Sequence, residues 1–156
     1  MAIYEVSART TLVTATAAAA LCALKGVTRP CFIKEIHIFG ITAPTTSGAL
    51  GLCRSTAVGT GTLTSVVPVS RDPNATAPTA VLITNWATAA PTNGGVGAVF
   101  RRWTQSAAIG NGVIWTFDGD DGIEVVGGAA ATSELCVVNM VATAPGTFDI
   151  TVVYVE

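Results

Sequence analysis

Residues 148–154 read Phe148-Asp149-Ile150-Thr151-Val152-Val153-Tyr154, an alternation of apolar and polar side chains. Side chains in a β-strand point alternately to two sides, so the even-numbered, apolar residues fall on one face and Asp149 and Thr151 on the other. Such alternation is typical of a strand with one face in a hydrophobic core. We therefore predict a half-buried strand here.

The same pattern recurs along the chain. Residues 113–117 alternate in this way after an Asn111-Gly112 pair that favours a hairpin turn, and residues 35–39 place Ile36 and Ile38 on one face. Later strands are separated by connections too short for the helix that a parallel βαβ unit needs. The pattern predicts an all-β antiparallel sandwich or barrel. Further predicted strands cover residues 63–69, 80–84, 99–104 and 135–141.

Residues 14–25 are harder to assign, because their alanine content favours a helix. They contain no capping box, however, and Val13, Thr14 and Thr16 are β-branched residues that favour a strand. We expect extended structure here, as in the rest of the chain. A length of 156 residues is typical of one domain, so residues 1–156 are predicted to form a single β-sandwich.

The composition narrows the classes of function. Only 12% of residues are charged, and eight Lys and Arg against ten Asp and Glu give a net charge of −2. Disordered chains are charge-rich, and a nucleic-acid-binding surface needs excess positive charge, so neither is expected. The longest uncharged stretch, residues 73–100, is interrupted by Pro78 and Pro91, and the N-terminal residues lack the features of a signal peptide. We expect a soluble protein made in the cytosol, without a membrane partner.

Four cysteines lie in apolar surroundings and contain no Cys-x-x-Cys pair. A zinc site or two disulfides are conceivable, but four small buried hydrophobic residues fit the spacing and the expected cytosolic synthesis better. We predict no metal site or other cofactor from them, while their pairing stays open. They are Cys22, Cys31, Cys53 and Cys136.

Two polar features are candidates for chemistry. Residues 118–124 read Asp-Gly-Asp-Asp-Gly-Ile-Glu and could wrap a calcium ion, but the spacing fails the EF-hand pattern and a solvated turn is the simpler interpretation. His37, the single histidine, would have to serve any Ser-His or Cys-His arrangement. Beside Glu35 on an alternating strand, it is expected to point to solvent or to another subunit. The sequence therefore predicts no catalytic residue.

Aromatic and arginine side chains are candidates for contacts. Neighbouring residues of a strand point to opposite faces, so in Arg101-Arg102-Trp103 only Arg101 would share a face with Trp103. The simplest interpretation is an edge or interface strand whose arginine packs on an aromatic ring. Trp86 is predicted to be a loop-borne contact residue. The glycine-rich residues 59–61 and 94–97 open no amphipathic helix, so they are interpreted as loops and not as phosphate sites.

The scarcity of charge has a consequence for the surface. The outward faces must be made largely of Thr, Ala, Ser, Gly and Val, and extensive weakly polar patches usually mark contacts with other chains. Antiparallel sheets also expose edge strands that need covering. An interaction protein is therefore favoured over an enzyme.

A series of short motifs also occurs in a particular order along the chain: residues 1–4 (Met-Ala-Ile-Tyr), 29–39, 99–103 (Val-Phe-Arg-Arg-Trp), 112–115 with the following acidic turn, and 147–154. In this order the chain resembles the small jelly-roll head decoration (cement) proteins of tailed bacteriophages. The resemblance implies a jelly-roll-like sandwich of about eight strands, a homotrimer, and binding to the major capsid protein in the virion after assembly in the host cytoplasm.

The sequence therefore leads us to expect a capsid decoration protein that stabilises the phage head lattice. The alternative is a receptor- or carbohydrate-binding jelly-roll module of a fibre or spike, since jelly rolls also occur in lectins. That alternative predicts a concave aromatic site with Trp86 and Trp103 as its candidates. A hydrolase built on His37 or on the acidic turn is the third and weakest hypothesis.

Overall fold

The computed structural model describes residues 1–11, 15–42, 44, 46–117 and 122–156. The secondary structure of these residues is entirely β, with thirteen strands and no helix that could cross a membrane. The strands are β1 (Ile3–Arg9), β2 (Ala20–Lys25), β3 (Cys31–Gly40), β4 (Gly48–Ala57), β5 (Leu63–Val66), β6 (Val69–Ser70), β7 (Val81–Trp86), β8 (Thr92–Asn93), β9 (Arg101–Gln105), β10 (Gly112–Thr116), β11 (Ile123–Val125), β12 (Glu134–Asn139) and β13 (Phe148–Val155).

The strands form two antiparallel sheets that pack face to face. The six-stranded sheet has the order β10-β3-β13-β1-β6, with β11 also paired to β3. The seven-stranded sheet has the order β5-β7-β2-β12-β4-β8, with β9 also paired to β4. The predicted all-β antiparallel sandwich is confirmed.

Eight of the thirteen strands follow the topology of a jelly roll. They form four antiparallel pairs, β1 with β13, β2 with β12, β3 with β10 and β4 with β9. This long double ribbon is rolled up so that β13 also pairs with β3 and β12 with β4. Alternate strands of the ribbon thus enter opposite sheets, as in the eight-stranded jelly roll. The other five described strands are additions, four of them between β4 and β9.

The main core lies between the two sheets. Strand β13 buries Phe148, Ile150, Val152 and Tyr154 and leaves Asp149 and Thr151 half-buried, as its alternation predicts. The Tyr154 ring stacks on the Tyr4 ring with a centroid separation of 5.4 Å. These inward faces join the two layers into one hydrophobic core.

A second, smaller core covers the outer face of the seven-stranded sheet. In β12, Leu135 and Val137 point into the main core, whereas Cys136 and Val138 point to the other side and are also buried. The segment between β4 and β9 supplies this second core with Trp86 and lies across it. The seven-stranded sheet is therefore buried on both faces at its centre. The second core consists of Ala20, Ala23, Cys53, Ile83, Trp86, Cys136 and Val138.

Several strands differ from their predicted bounds. The predicted strand over residues 63–69 is two strands, β5 and β6, on either side of Val67-Pro68, because proline cannot donate to a ladder. Within residues 14–25 the extended part is β2, and the chain turns before it at Ala18, whose φ is +66°. Strands β1 and β4 were not predicted from the sequence.

Candidate interaction face

The outer face of the six-stranded sheet, called the open face below, contrasts with the covered face of the other sheet. Its side chains alternate with the core residues of four neighbouring strands, and most are exposed or half-buried. Such an extended sheet face offers an interaction surface, not a cleft. Its residues are Ile3, Glu5, Ser7 and Arg9 of β1, Asp149, Thr151, Val153 and Val155 of β13, Phe32, Glu35, His37 and Phe39 of β3, and Gly112, Ile114 and Thr116 of β10.

The charges of this face are largely paired on the face itself. The Arg9 guanidinium donates two hydrogen bonds to the Asp149 carboxylate, at 2.8 and 3.0 Å. These bonds lower the pKa of Asp149 and raise that of Arg9. Arg71 reaches Glu5 at 2.8 Å from the neighbouring turn. A partner can therefore cover these groups without leaving them as isolated buried charges, which would be costly.

Apolar side chains surround the paired charges. Ile3, Phe39, Ile114 and Val69 of β6 are between 44% and 71% exposed. Beside β1 and β6 lies a groove of about 430 Å³ whose apolar wall includes Val69. Exposed apolar side chains next to charges that are already paired suit a surface that binds another protein.

His37 lies in the middle of the open face, on the outward side of β3 that its alternation predicts. Its Nε2 atom and the Glu35 Oε2 atom are 2.8 Å apart, and its cross-strand neighbours are Thr151 and Ile114. The Thr151 hydroxyl is hydrogen-bonded to the Ser7 hydroxyl at 2.7 Å. The histidine therefore belongs to a polar row on an open sheet.

Trp86 is not the exposed contact residue that the sequence predicts. Only 7% of it is exposed, and the backbone of Gly59 lies against its indole, so that a Cβ atom at Gly59 would come within 2.2 Å of the ring nitrogen. This close approach explains why residue 59 is glycine, since a side chain here would collide with the indole. Gly59 therefore has a packing role and not a role in binding phosphate. The prediction fails because alternation along one strand does not reveal a loop that folds over the outer face.

The other aromatic candidates pack within the sandwich. The half-buried Trp103 meets Phe148 edge to face, with 6.4 Å between ring centroids. The Arg101 guanidinium lies 5.3 Å from the centre of the Phe117 ring. Strand β9 is an edge strand of the seven-stranded sheet, so the predicted edge arginine packed on an aromatic ring is confirmed, with Phe117 as its partner.

The acidic candidate lies mainly outside the described residues. Asp118, Asp120 and Asp121 fall in the gap at 118–121, and only Glu124 is described, exposed on β11 opposite Phe32. Within the described ranges, no group of three or more His, Cys, Asp or Glu side chains is arranged to hold a metal ion.

The four cysteines are buried free thiols, as the sequence favours. Burial raises the pKa of Cys22 and Cys31 to about 12 and that of Cys53 to about 11. The pKa of Cys136, opposite Cys53 on the neighbouring strand, is raised well above its ordinary value, chiefly by burial.

These shifts predict a loss of stability in alkaline solution. Thiols of the unfolded chain ionise near pH 9, whereas the folded protein keeps them neutral to higher pH. The cysteine contribution is therefore complete below about pH 9 and is lost as the pH rises toward 12. We expect the urea midpoint to fall between pH 9 and 11, and to fall less in a Cys53→Ala variant. Rapid labelling of the native protein by a thiol reagent at pH 8 would contradict the burial.

No family model, curated protein or solved structure matches this chain. Its function is therefore argued from its own fold and surface. Sequence reasoning missed the open face, although the alternation of Glu5, Ser7 and Arg9 in β1 is the kind of signal that marks it. It also missed the ion pair between the half-buried Lys25 and the buried Glu134, which lie opposite each other on β2 and β12.

Proposed function

We propose that this chain is a structural protein of a phage head, a decoration protein that associates with itself and binds the lattice of the major capsid protein through the open face. The difference between the two sheets supports this proposal. The outer face of the seven-stranded sheet is covered by the segment between β4 and β9. The outer face of the six-stranded sheet is open and carries paired charges and exposed apolar side chains. Jelly rolls are frequent in viral shells, which supports the assignment.

The open face suits a role in cementing a shell. It is built on β1, β13, β3 and β10, which are held by continuous antiparallel ladders, so its residues keep fixed positions. A rigid surface of this kind loses little conformational entropy on binding. When such a subunit spans neighbouring capsid subunits, several contacts must break together before the shell separates.

The proposal assigns neither catalysis nor nucleic-acid binding to this surface. His37 contacts Glu35 on an open sheet, and the guanidinium groups of Arg9 and Arg71 are occupied by carboxylates. Such arginines are poorly available to phosphates, whose binding relies on free positive charge.

A lysine in the centre of the open face tests the proposal. Thr151 lies between Ser7 and His37 in the cross-strand row, so Thr151→Lys places a new charge where the capsid would cover it. Burial of an uncompensated charge costs several kcal/mol. We expect about 100-fold weaker binding to heads assembled without this protein, measured by co-sedimentation, and loss of the heat resistance that the wild-type protein confers.

The matched control is Thr64→Lys, at an exposed position on β5 of the other sheet. It adds the same charge and is expected to bind heads like the wild type. If both variants bind normally, the open face is not the capsid contact. If heads without the protein resist heat and osmotic shock as well as decorated heads, the stabilising role is wrong.

A further inference from the structure

Among the described strands, β10 pairs only with β3, so no described strand pairs with the other side of its backbone. The Phe117 amide donates to the Lys34 carbonyl at 2.9 Å, and the register places Ile114 opposite His37. Backbone groups in an antiparallel ladder alternate between its two sides. The N–H and C=O groups of Gly112, Ile114 and Thr116 therefore point away from the sheet.

The other described edge strands carry features that discourage pairing with another chain. Strand β5 has a register shift between Thr64 and Ser65, and β6 has only two residues and follows Pro68. Strand β9 begins with Arg101 and Arg102, β8 has only two residues, and β11 has three residues that include Glu124. Prolines, charges, irregularities and short lengths are the usual protections of an edge strand.

Strand β10 has none of these protections. It spans five residues, Gly112 to Thr116, without a charge, a proline or a register shift against β3. Its outward side chain Ile114 is 52% exposed, and Phe39 on the neighbouring strand is 45% exposed. An uncharged, regular and apolar edge is a template for adding another strand.

We propose that β10 pairs with β10 of a second copy of this chain across a two-fold axis at Ile114, so that two six-stranded sheets become one continuous sheet. This inference rests on the self-association in the proposed function and identifies its contact. Two-fold contacts are the commonest way in which identical chains associate. The unit is then a dimer, in contrast to the trimer that the family resemblance implies.

The side chains of β10 are complementary to themselves in this arrangement. Ile114 faces Ile114 of the second copy, and Thr116 faces Gly112. A Cβ atom at Gly112 would lie 2.3 Å from Cδ1 of Phe39, so the Phe39 ring already covers this position and extends toward the edge. Because β10 carries no charge, self-pairing brings no like charges together on the strand. This neutrality favours a second copy over a charged peptide as the occupant.

A charge at the two-fold axis tests the contact. Ile114→Lys would bring two ammonium groups together at the proposed axis, so we expect dimerisation at least about 100-fold weaker. Sedimentation equilibrium from nanomolar to micromolar concentration measures this. The matched control is Val69→Lys on β6, at the opposite edge of the same sheet, where the valine is 71% exposed. The control is expected to dimerise like the wild type.

Cross-linking tests the register without adding charge. Directly opposed residues of a hydrogen-bonded antiparallel pair have Cα atoms about 5.5 Å apart, within the range of a disulfide. An Ile114→Cys variant should therefore form a covalent dimer under mild oxidation, which removes two electrons and two protons from the paired thiols. A Val69→Cys variant should not, and the four native thiols are buried.

The outcomes separate this inference from the proposed function. A wild-type monomer or trimer at micromolar concentration overturns the β10 pairing, and so does a dimer in which Ile114→Cys fails to cross-link. Cross-linked dimers that do not bind undecorated heads leave the pairing intact and overturn the capsid role.

Discussion

Replacing Trp86 with alanine is expected to lower the free energy of unfolding by about 3–5 kcal/mol, the usual cost of truncating a large aromatic side chain in a core. Trp86 is the largest residue of the second core and is 7% exposed. Its removal leaves a cavity between Gly59 and the centre of the seven-stranded sheet. Urea unfolding followed by circular dichroism measures the loss. Tryptophan fluorescence is less suitable, because the tryptophans that remain in the variant do not report on the second core alone.

The same substitution separates the proposed decoration role from the carbohydrate-binding alternative. Phe100→Ala is the control, because Phe100 is 42% exposed and lies under the Arg54 guanidinium, which is 5.5 Å from the ring centre. We expect it to cost less than about 1 kcal/mol, as is usual at the surface. If Trp86→Ala kept wild-type stability but abolished binding to a glycan array, Trp86 would be a sugar-stacking residue and the second core would have no energetic role.

The sequence predicts best the strands that have one solvent-exposed face. Strands β13, β10 and β3 alternate over most of their length because one side of each is open to solvent. Strand β4 was missed because residues 50–53 are buried on both sides and include glycine, which removes the alternation. Strand β2 was ambiguous for the same reason, since Ala20 to Leu24 are all buried.

The site was less predictable because it depends on strand pairing. Arg9 and Asp149 are 140 residues apart in sequence and meet only because β1 pairs with β13. Glu5 and Arg71 meet because β6 adds to the same edge. Local patterns show which side of a strand is polar, but not which charges will neutralise each other across strands. The low total charge predicted an interaction surface without locating it.

Lys25→Met is expected to lower the free energy of unfolding by about 3 kcal/mol, because removing the half-buried lysine leaves the charge of the buried Glu134 carboxylate uncompensated. Glu134 is fully buried, and its Oε1 atom lies 3.8 Å from Lys25 Nζ. Its Oε2 atom accepts a hydrogen bond from the Gly59 amide at 3.1 Å. The pair thus fixes the segment that carries Gly59 over Trp86. Urea unfolding measures the effect.

A second substitution shows whether the buried charge is the cause. Glu134→Gln removes the charge but keeps an oxygen for the Gly59 amide, so the double variant Lys25→Met/Glu134→Gln should recover a substantial part of the stability lost in Lys25→Met alone. If the two effects simply add, the stability lost in Lys25→Met does not come from the uncompensated charge of Glu134. Recovery of stability in the double variant instead means that the ion pair holds the segment between β4 and β9 against the seven-stranded sheet. That attachment is what leaves the six-stranded sheet as the open side of the sandwich.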